Sequence, residues 1–216
     1  IGLSAFSRQS AGSLLVIVAN NTLAAYGGNL AIAVFGVINR LMRFTLMPVF
    51  GIAQGFQPVV GYNYGAGSYA NIIKAVRRGI LYASLVSVAG FLLFMLLPGT
   101  LMSIFSDEPE LIHQGKIALR LMSLALPLVG YQVLGATIFL SIGKALPSFL
   151  LTMSRQFLFL IPLILFLPRY LGIRGVWIAF PLSDILSFLI TLIFVIRILA
   201  EFKLEIKRRE NEISAT

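Results

Sequence analysis

The sequence predicts an all-α, polytopic membrane protein with six membrane-crossing helices. Three observations carry this. Of 216 residues 58% are apolar and 12% charged, with a mean hydropathy of +0.94, against about 45–50% apolar and about 25% charged in an average soluble domain. Long stretches carry no charge at all. The cations collect at the ends of those stretches, where they orient a membrane protein. The same composition excludes a disordered chain, a nucleic-acid-binding arm and an ordinary soluble enzyme. The net charge of +9 and a pI near 10.3 therefore point to a membrane lipid surface and not to nucleic acid, whose binders show a basic patch on a folded surface.

Residues 9–39, 44–73, 79–106 and 121–143 carry no charge, while 145–168 and 175–196 carry one each, Arg155 and Asp184. Each stretch suffices for a span, which needs about 20 predominantly apolar residues. The first helix is expected over 3–26, ending at Tyr26-Gly27-Gly28-Asn29, a turn signal. The second follows over 29–61 and stops before the loop Gly65-Ala66-Gly67-Ser68. The third, 74–104, ends ahead of Ser106-Asp107-Glu108-Pro109-Glu110, which has helix-start chemistry and opens the fourth at 110–141. Gly143-Lys144-Ala145 leads into the fifth, 146–168. Pro168-Arg169-Tyr170-Leu171-Gly172 closes that hairpin, and the sixth runs over 173–199. Residues 1–200 thus form one six-helix lobe and 201–216 a basic cytoplasmic tail.

Orientation follows from Lys and Arg. Lys74, Arg77, Arg78 and Lys144 fall on one side with Arg197, Lys203, Lys207, Arg208 and Arg209 of the tail. Arg169 and Arg174 fall opposite, near Asp107, Glu108 and Glu110. The cation-rich side is expected in the cytoplasm, with both termini there. The chain opens on Ile1, as a processed or partial chain would.

Polar residues inside spans are costly and mark function or helix contacts. On the second helix Asn39, Arg43, Gln54, Gln57 and Gly61 share a face. They read either as the wall of a solvated cavity or as interhelical contacts, with Gly51-xxx-Gly55 and Gly61-xxx-Gly65 allowing close approach. Gln9, Ser13 and Asn20 share a face of the first helix; Arg8 beside them can snorkel to the interface. Asn20 lies deeper and is a cavity candidate, as is Gln132 on the fourth helix. Arg155 and Asp184 are expected to meet near mid-membrane, as a structural ion pair fixing register or as part of ion coupling. Ser187 and Thr191 continue the Asp184 face. Pro48, Pro58, Pro127, Pro162 and Pro181 should kink their helices. Cysteine is absent and His113 is the only histidine, so neither a metal centre nor nucleophilic catalysis is expected.

Three stretches together resemble the C-terminal half of MATE (multidrug and toxic compound extrusion) transporters, in the MepA-like branch. Gly51-Ile-Ala-Gln54-Gly55-Phe-Gln57-Pro58-Val-Val-Gly61-Tyr62-Asn63-Tyr64-Gly65-Ala66 is similar to the second helix of that half. Ser154-Arg155-Gln156 with Ile161-Pro162-Leu163, and Gly175-Val176-Trp177 with Pro181-Leu182-Ser183-Asp184, are similar to the family's last two helices. The resemblance implies helices seven to twelve of a twelve-helix antiporter in a bacterial inner (plasma) membrane, partnered by a missing N-terminal lobe. It implies export of small, cationic, drug-like amphiphiles in exchange for Na⁺ or H⁺, with no cofactor beyond the coupling ion. Some family members hold Na⁺ with carboxylates on the seventh and tenth helices; here those helices offer Gln9, Ser13 and Gln132 but no acid, leaving Asp184 as the lone intramembrane carboxylate. Two other classes stay open: a lipid-linked oligosaccharide flippase of the related superfamily, and a non-transporting membrane assembly subunit.

Overall fold

The computed structural model describes residues 2–214, with side chains described for 14–209 and Asn211. The side chains of Arg8, Gln9 and Ser13 lie outside the described residues. Among the described residues every regular element is helical.

Helix α1 runs Gly2–Gly65 and holds its one non-helical residue at Gly28, with φ 65° and ψ −164°. That conformation is open to glycine and strained for a residue with a Cβ. The break falls at the expected junction between the first two spans, which therefore share one element. The short turn Ala66–Ser68 leads to α2 (Tyr69–Leu96), which begins earlier than the expected residue 74. Pro98 then interrupts the expected 74–104 helix. Proline lacks an N–H and fits a first helical turn, so a new short helix, α3 (Pro98–Ser103), starts there.

The expected 110–141 helix is also two pieces. Helices α4 (Pro109–Ser123) and α5 (Leu126–Ser141) are bent by 47° across a short break. Pro127 has no N–H to return to Ser123, so the ladder is cut where the chain turns. Next come α6 (Ala145–Met153), a π-helical segment (Ser154–Leu160) and α7 (Ile161–Phe166). Within this run the Ile161 N–H donates to the Gln156 carbonyl, five residues back. Pro162 explains the widening, because an α turn would press its ring on the Leu158 carbonyl. Helix α8 (Pro168–Leu171) ends at Gly172, φ 58°. Helix α9 (Ile173–Ser214) continues well past the expected 199. Its last turns consist of strong helix formers and carry a Glu205–Arg208 pair at i,i+3. Pro48, Pro58 and Pro181 lie inside helices that stay continuous in their backbone assignment.

Counted as continuous helices, four are long and apolar enough to cross a membrane, or five if the bent α4–α5 pair is one span. The expected six are not found: Leu14–Gly65, where two spans were expected, is one long candidate helix interrupted only at Gly28.

The core divides into two apolar clusters. One joins Ala19 and Leu23 to Val34, Phe35 and Ile38 of α1, with Phe94, Met102, Leu119, Ile164 and Trp177. The other joins Val49, Phe56 and Val60 of α1 to Ile72, Ala83, Leu134, Ile138, Leu151, Val195 and Phe202. The second cluster reaches the end of the molecule where Arg209 Nη1 donates to the Gly67 carbonyl at 3.1 Å and Lys144 Nζ meets Glu201 at 3.2 Å. Tyr64, Tyr69 and Phe202 stack beneath these contacts. The 66–68 turn, the Gly143-Lys144 turn and the basic end of α9 therefore share one end. Gly27, against Ile173, marks a separate contact between α1 and the start of α9.

Helices α2 and α5 approach through small residues. A Cβ built at Gly130 would stand 2.5 Å from the Ala83 carbonyl oxygen and 2.8 Å from Ser87 Oγ. Since a backbone carbonyl cannot step aside, Gly130→Ala should cost about 1–3 kcal/mol by overpacking, read as a lowered midpoint of thermal unfolding in detergent. An unchanged midpoint would contradict this helix contact.

Candidate functional site

Between the two apolar clusters lies a polar seam. Ser87, Gln132, Ser183, Asp184, Ser187 and Thr191 are all buried, and Arg155 reaches into the same region. Arg155 Nε and Asp184 Oδ1 form an ion pair, with side chains 36% and 5% exposed. The pair joins the π segment to α9. It answers the cost of each lone charge, since an unpaired charge at mid-bilayer costs at least about 2.5–3.5 kcal/mol on insertion scales. Gln132 Nε2 donates to the Asp184 main-chain carbonyl at 3.1 Å, which ties α5 to the same turn of α9. Ser183 donates to the Phe180 carbonyl at 2.7 Å and Thr191 to the Ser187 carbonyl at 2.9 Å, so both hydroxyls are satisfied within α9.

Arg155 also lines a cavity of about 360 Å³ with Gln54 and Gln57 of α1, Gln132 and Thr137 of α5, and Gln156. Three of the five expected cavity residues are thus brought together with the charge pair. Gln54 and Gln57 are exposed and Gln132 is buried. Asn20 and Asn39 are not among the cavity-lining residues. Asn20 is half-buried on the first arm of α1, and Asn39 Nδ2 turns back to the Phe35 carbonyl at 3.1 Å. Arg43 is exposed on the face of α1 that continues through Phe50 to Gln57.

Several lining residues were not anticipated. Ser148, Thr152 and Thr137 line the cavity, and the Thr137 and Thr152 hydroxyls donate to their own helices at 2.7 and 2.9 Å. The signal was the spacing Ser148, Thr152, Arg155, Gln156, which follows one helical face. Among the family-motif residues, Gly61 approaches the Ser141 carbonyl, 3.2 Å from where its Cβ would lie. Asn63 Nδ2 donates to the Val59 carbonyl, four residues back in its own helix, at 2.8 Å. Tyr62 is 78% exposed and Tyr64 joins the aromatic stack. Gly55 and Pro58 lie on the exposed face of α1, and Gly65 ends it. Trp177 is buried, 6.4 Å from the Phe35 ring, and Pro181 is buried one turn before Asp184. Among the described residues no group of three or more His, Cys, Asp or Glu could hold a metal ion.

Several helices long and apolar enough to cross a membrane, packed around a buried polar seam beside a cavity, define a multi-span membrane protein. The sequence model of MatE matches residues 9–166, and the chain belongs to that family. The chain is 25% identical over 178 residues to the multidrug export protein MepA of Staphylococcus aureus (strain MSSA476), covering 82% of this chain and 38% of that protein. It is 24% identical over 144 residues to the probable multidrug resistance protein NorM of Thermotoga maritima, covering 66% and 31%. Among solved structures, the MATE multidrug transporter DinF-BH is 40% identical, with a TM-score of 0.80, over 91% of this chain and 44% of that one. An inward-facing MATE transporter of the MOP superfamily shares the fold at a TM-score of 0.88 and 22% identity, over 94% and 47%. The chain thus spans less than half the length of these relatives.

Gln132 bonds a buried carbonyl, so Gln132→Leu should lower unfolding stability by about 1–2 kcal/mol, the worth of that hydrogen bond and its desolvated partner. Chemical or thermal unfolding in detergent reads this, and a loss indistinguishable from zero would remove the α5–α9 tie.

Proposed function

We propose that this chain is the C-terminal six-span half of a multidrug antiporter, exporting cationic amphiphiles in exchange for Na⁺ or H⁺. In this reading α1 supplies two spans separated at Gly28, and α4–α5 form one bent span. The chain crosses a bacterial inner membrane with both ends cytoplasmic, its companion being the N-terminal half of the same transporter. The MepA-like branch is supported by the MepA relatives, which align over as much as 90% of this chain.

The observation that carries the proposal is the cavity. Gln54, Gln57, Gln132, Arg155 and Gln156 meet around one space. Gln54 and Gln57 are exposed in this chain alone, and an exposed polar stripe at mid-span cannot face lipid. A hydrophobic cation would lie against this wall, its ring surfaces on Phe50 and its charge among amide oxygens. Asn20 and Asn39 would extend the wall toward the other end of α1. The coupling ion would act by binding the inward and outward states with different affinity. Arg155 and Asp184 would serve as a register-fixing pair, a coupling group, or both.

A flippase for lipid-linked oligosaccharides calls for a more cationic cavity. Among the described residues Arg155 is the only charged one lining this cavity and it is paired with Asp184, which favours the exporter. The family's transporter relatives likewise weigh against an accessory subunit and against an enzyme.

Gln54→Ala in the complete transporter should cut efflux of a fluorescent cation such as ethidium about tenfold, the scale of one hydrogen bond to a charged group, at unchanged expression and thermal stability. Efflux at the wild-type rate would remove Gln54 from the substrate wall.

A further inference from the structure

The polar stripe of α1 does not end at the cavity. Toward Gly28 it continues through Arg43 to Arg40. Gly36, Arg40, Arg43, Met47, Phe50 and Gln54 recur at steps of 4, 3, 4, 3 and 4, and all six are exposed. Alternating steps of four and three keep residues on the seam that one helix presents to another. The faces suited to lipid look different. On α9 the exposed residues Ile185, Leu189, Ile193 and Ile196 are all aliphatic.

Two observations bear on what this stripe meets. The first is charge. Arg40 and Arg43 stand 12 and 15 residues past Gly28, about 18 and 22 Å along the helix at 1.5 Å per residue, so both fall inside the span. Each is costly against lipid, and three residues apart they repel one another. Among the described residues no carboxylate answers them: the acids in ion pairs, Glu201, Asp184 and Glu205, are held by Lys144, Arg155 and Arg208. The second is space. A Cβ built at Gly36 or Gly51 would meet no atom within 4 Å. Glycine inside a helix costs stability relative to alanine, and the described residues make no use of the room. Small residues at such positions let another helix close in.

The exporter reading sharpens the demand for a counter-charge. Arg43 lies 11 residues from Gln54 on the same face, about 16 Å along the helix. An uncovered guanidinium at that distance would weaken binding of a monovalent cation about fivefold at an effective dielectric near 20. Arg40 would add to the repulsion.

We propose that a helix of the companion half lies along the Gly36–Arg43 end of this stripe and presents a carboxylate to Arg40 and Arg43. The contact joins the two halves inside the membrane and screens the Gln54 wall from two positive charges. A carboxylate matches guanidinium both in charge and in its paired acceptor oxygens, and Gly36 leaves room for its helix to approach. The inference rests on the reading that this chain is one half of a cation exporter.

The test uses the complete transporter in a background free of other cysteines. Arg40→Cys and Arg43→Cys are each combined with a cysteine at every acidic position in the companion's spans, and a short bifunctional thiol reagent is applied. Rapid cross-linking of at least one such pair is expected, with none from Leu189→Cys. Replacing the carboxylate so found by its amide should lower ethidium efflux at least about tenfold. Reversing both charges, Arg43→Glu with arginine in place of the carboxylate, should restore most of it. Failure of every acidic position to cross-link, in any state the transporter can be driven into, would overturn the proposal. So would a cross-linking carboxylate whose exchange for the amide leaves efflux unchanged. If no acid cross-links while Arg40→Gln with Arg43→Gln abolishes binding of an anionic dye such as fluorescein, the arginines hold an anionic ligand and the carboxylate helix is rejected. A transporter that cross-links but does not move ethidium removes the exporter reading alone; the amide exchange is then read as a lowered unfolding midpoint that charge reversal restores, and an unmoved midpoint rejects the pair. A native product with no second half rejects the companion and the proposal together.

Discussion

Two lone charges on neighbouring apolar helices have to find each other, and much of this molecule is arranged around their meeting. Arg155 and Asp184 each interrupt a stretch that is otherwise apolar, and neither could face lipid cheaply. Their contact fixes the π segment against α9. Gln132 then binds the carbonyl of the same Asp184, so α5 joins at the same height. The two apolar clusters pack on either side of this seam. Removing one partner of such a pair is strongly destabilising, whereas replacing both by neutral groups is far milder. Such a pair is therefore weak evidence of net stability.

The cavity follows from the same constraint. Once Arg155 turns toward α9, the next residue, Gln156, faces the space between α1, α5 and α6. Gln54 and Gln57 come to that space from the other side because they sit three residues apart on α1. Small residues allow the approach: Gly130 lets α5 lie directly on the backbone of α2, and Gly61 lets α1 approach the end of α5. Among the described residues Gln54 and Gln57 stay exposed along this stripe of α1.

How far these features were legible in the sequence depends on whether a residue's cost was local. The break at Gly28 was legible, because two glycines flanked by Tyr26 and Asn29 mark a turn whatever surrounds them. So was the meeting of Arg155 and Asp184, since each was the single charge in its span. Prolines were harder. Pro98 and Pro127 divide helices, Pro162 widens one, and Pro48, Pro58 and Pro181 leave theirs continuous. Spacing along one helix does not separate these outcomes, because a proline is compatible with a first helical turn, a widened turn or a continuous helix. Asn39 illustrates the same limit at the site. Its amide could face a cavity or its own backbone, and the Phe35 carbonyl takes it. The long end of α9 was hidden by its charge: Lys203 to Arg209 reads as a solvated tail, but Phe202 anchors it on Tyr64 and Tyr69.

The central claim is that the Gln54 face of α1 lines an aqueous path and not lipid. This chain contains no cysteine, so an introduced one reports cleanly in this half. Gln54→Cys and, as a lipid-facing control, Leu189→Cys should be made in the complete transporter, in a background free of other cysteines. Both would be exposed to a membrane-impermeant thiol reagent. Rapid labelling at position 54, slowed by ethidium, with none at position 189, is the predicted result. A Gln54→Cys protein as unreactive as the control, in every state the transporter can be driven into, would contradict it.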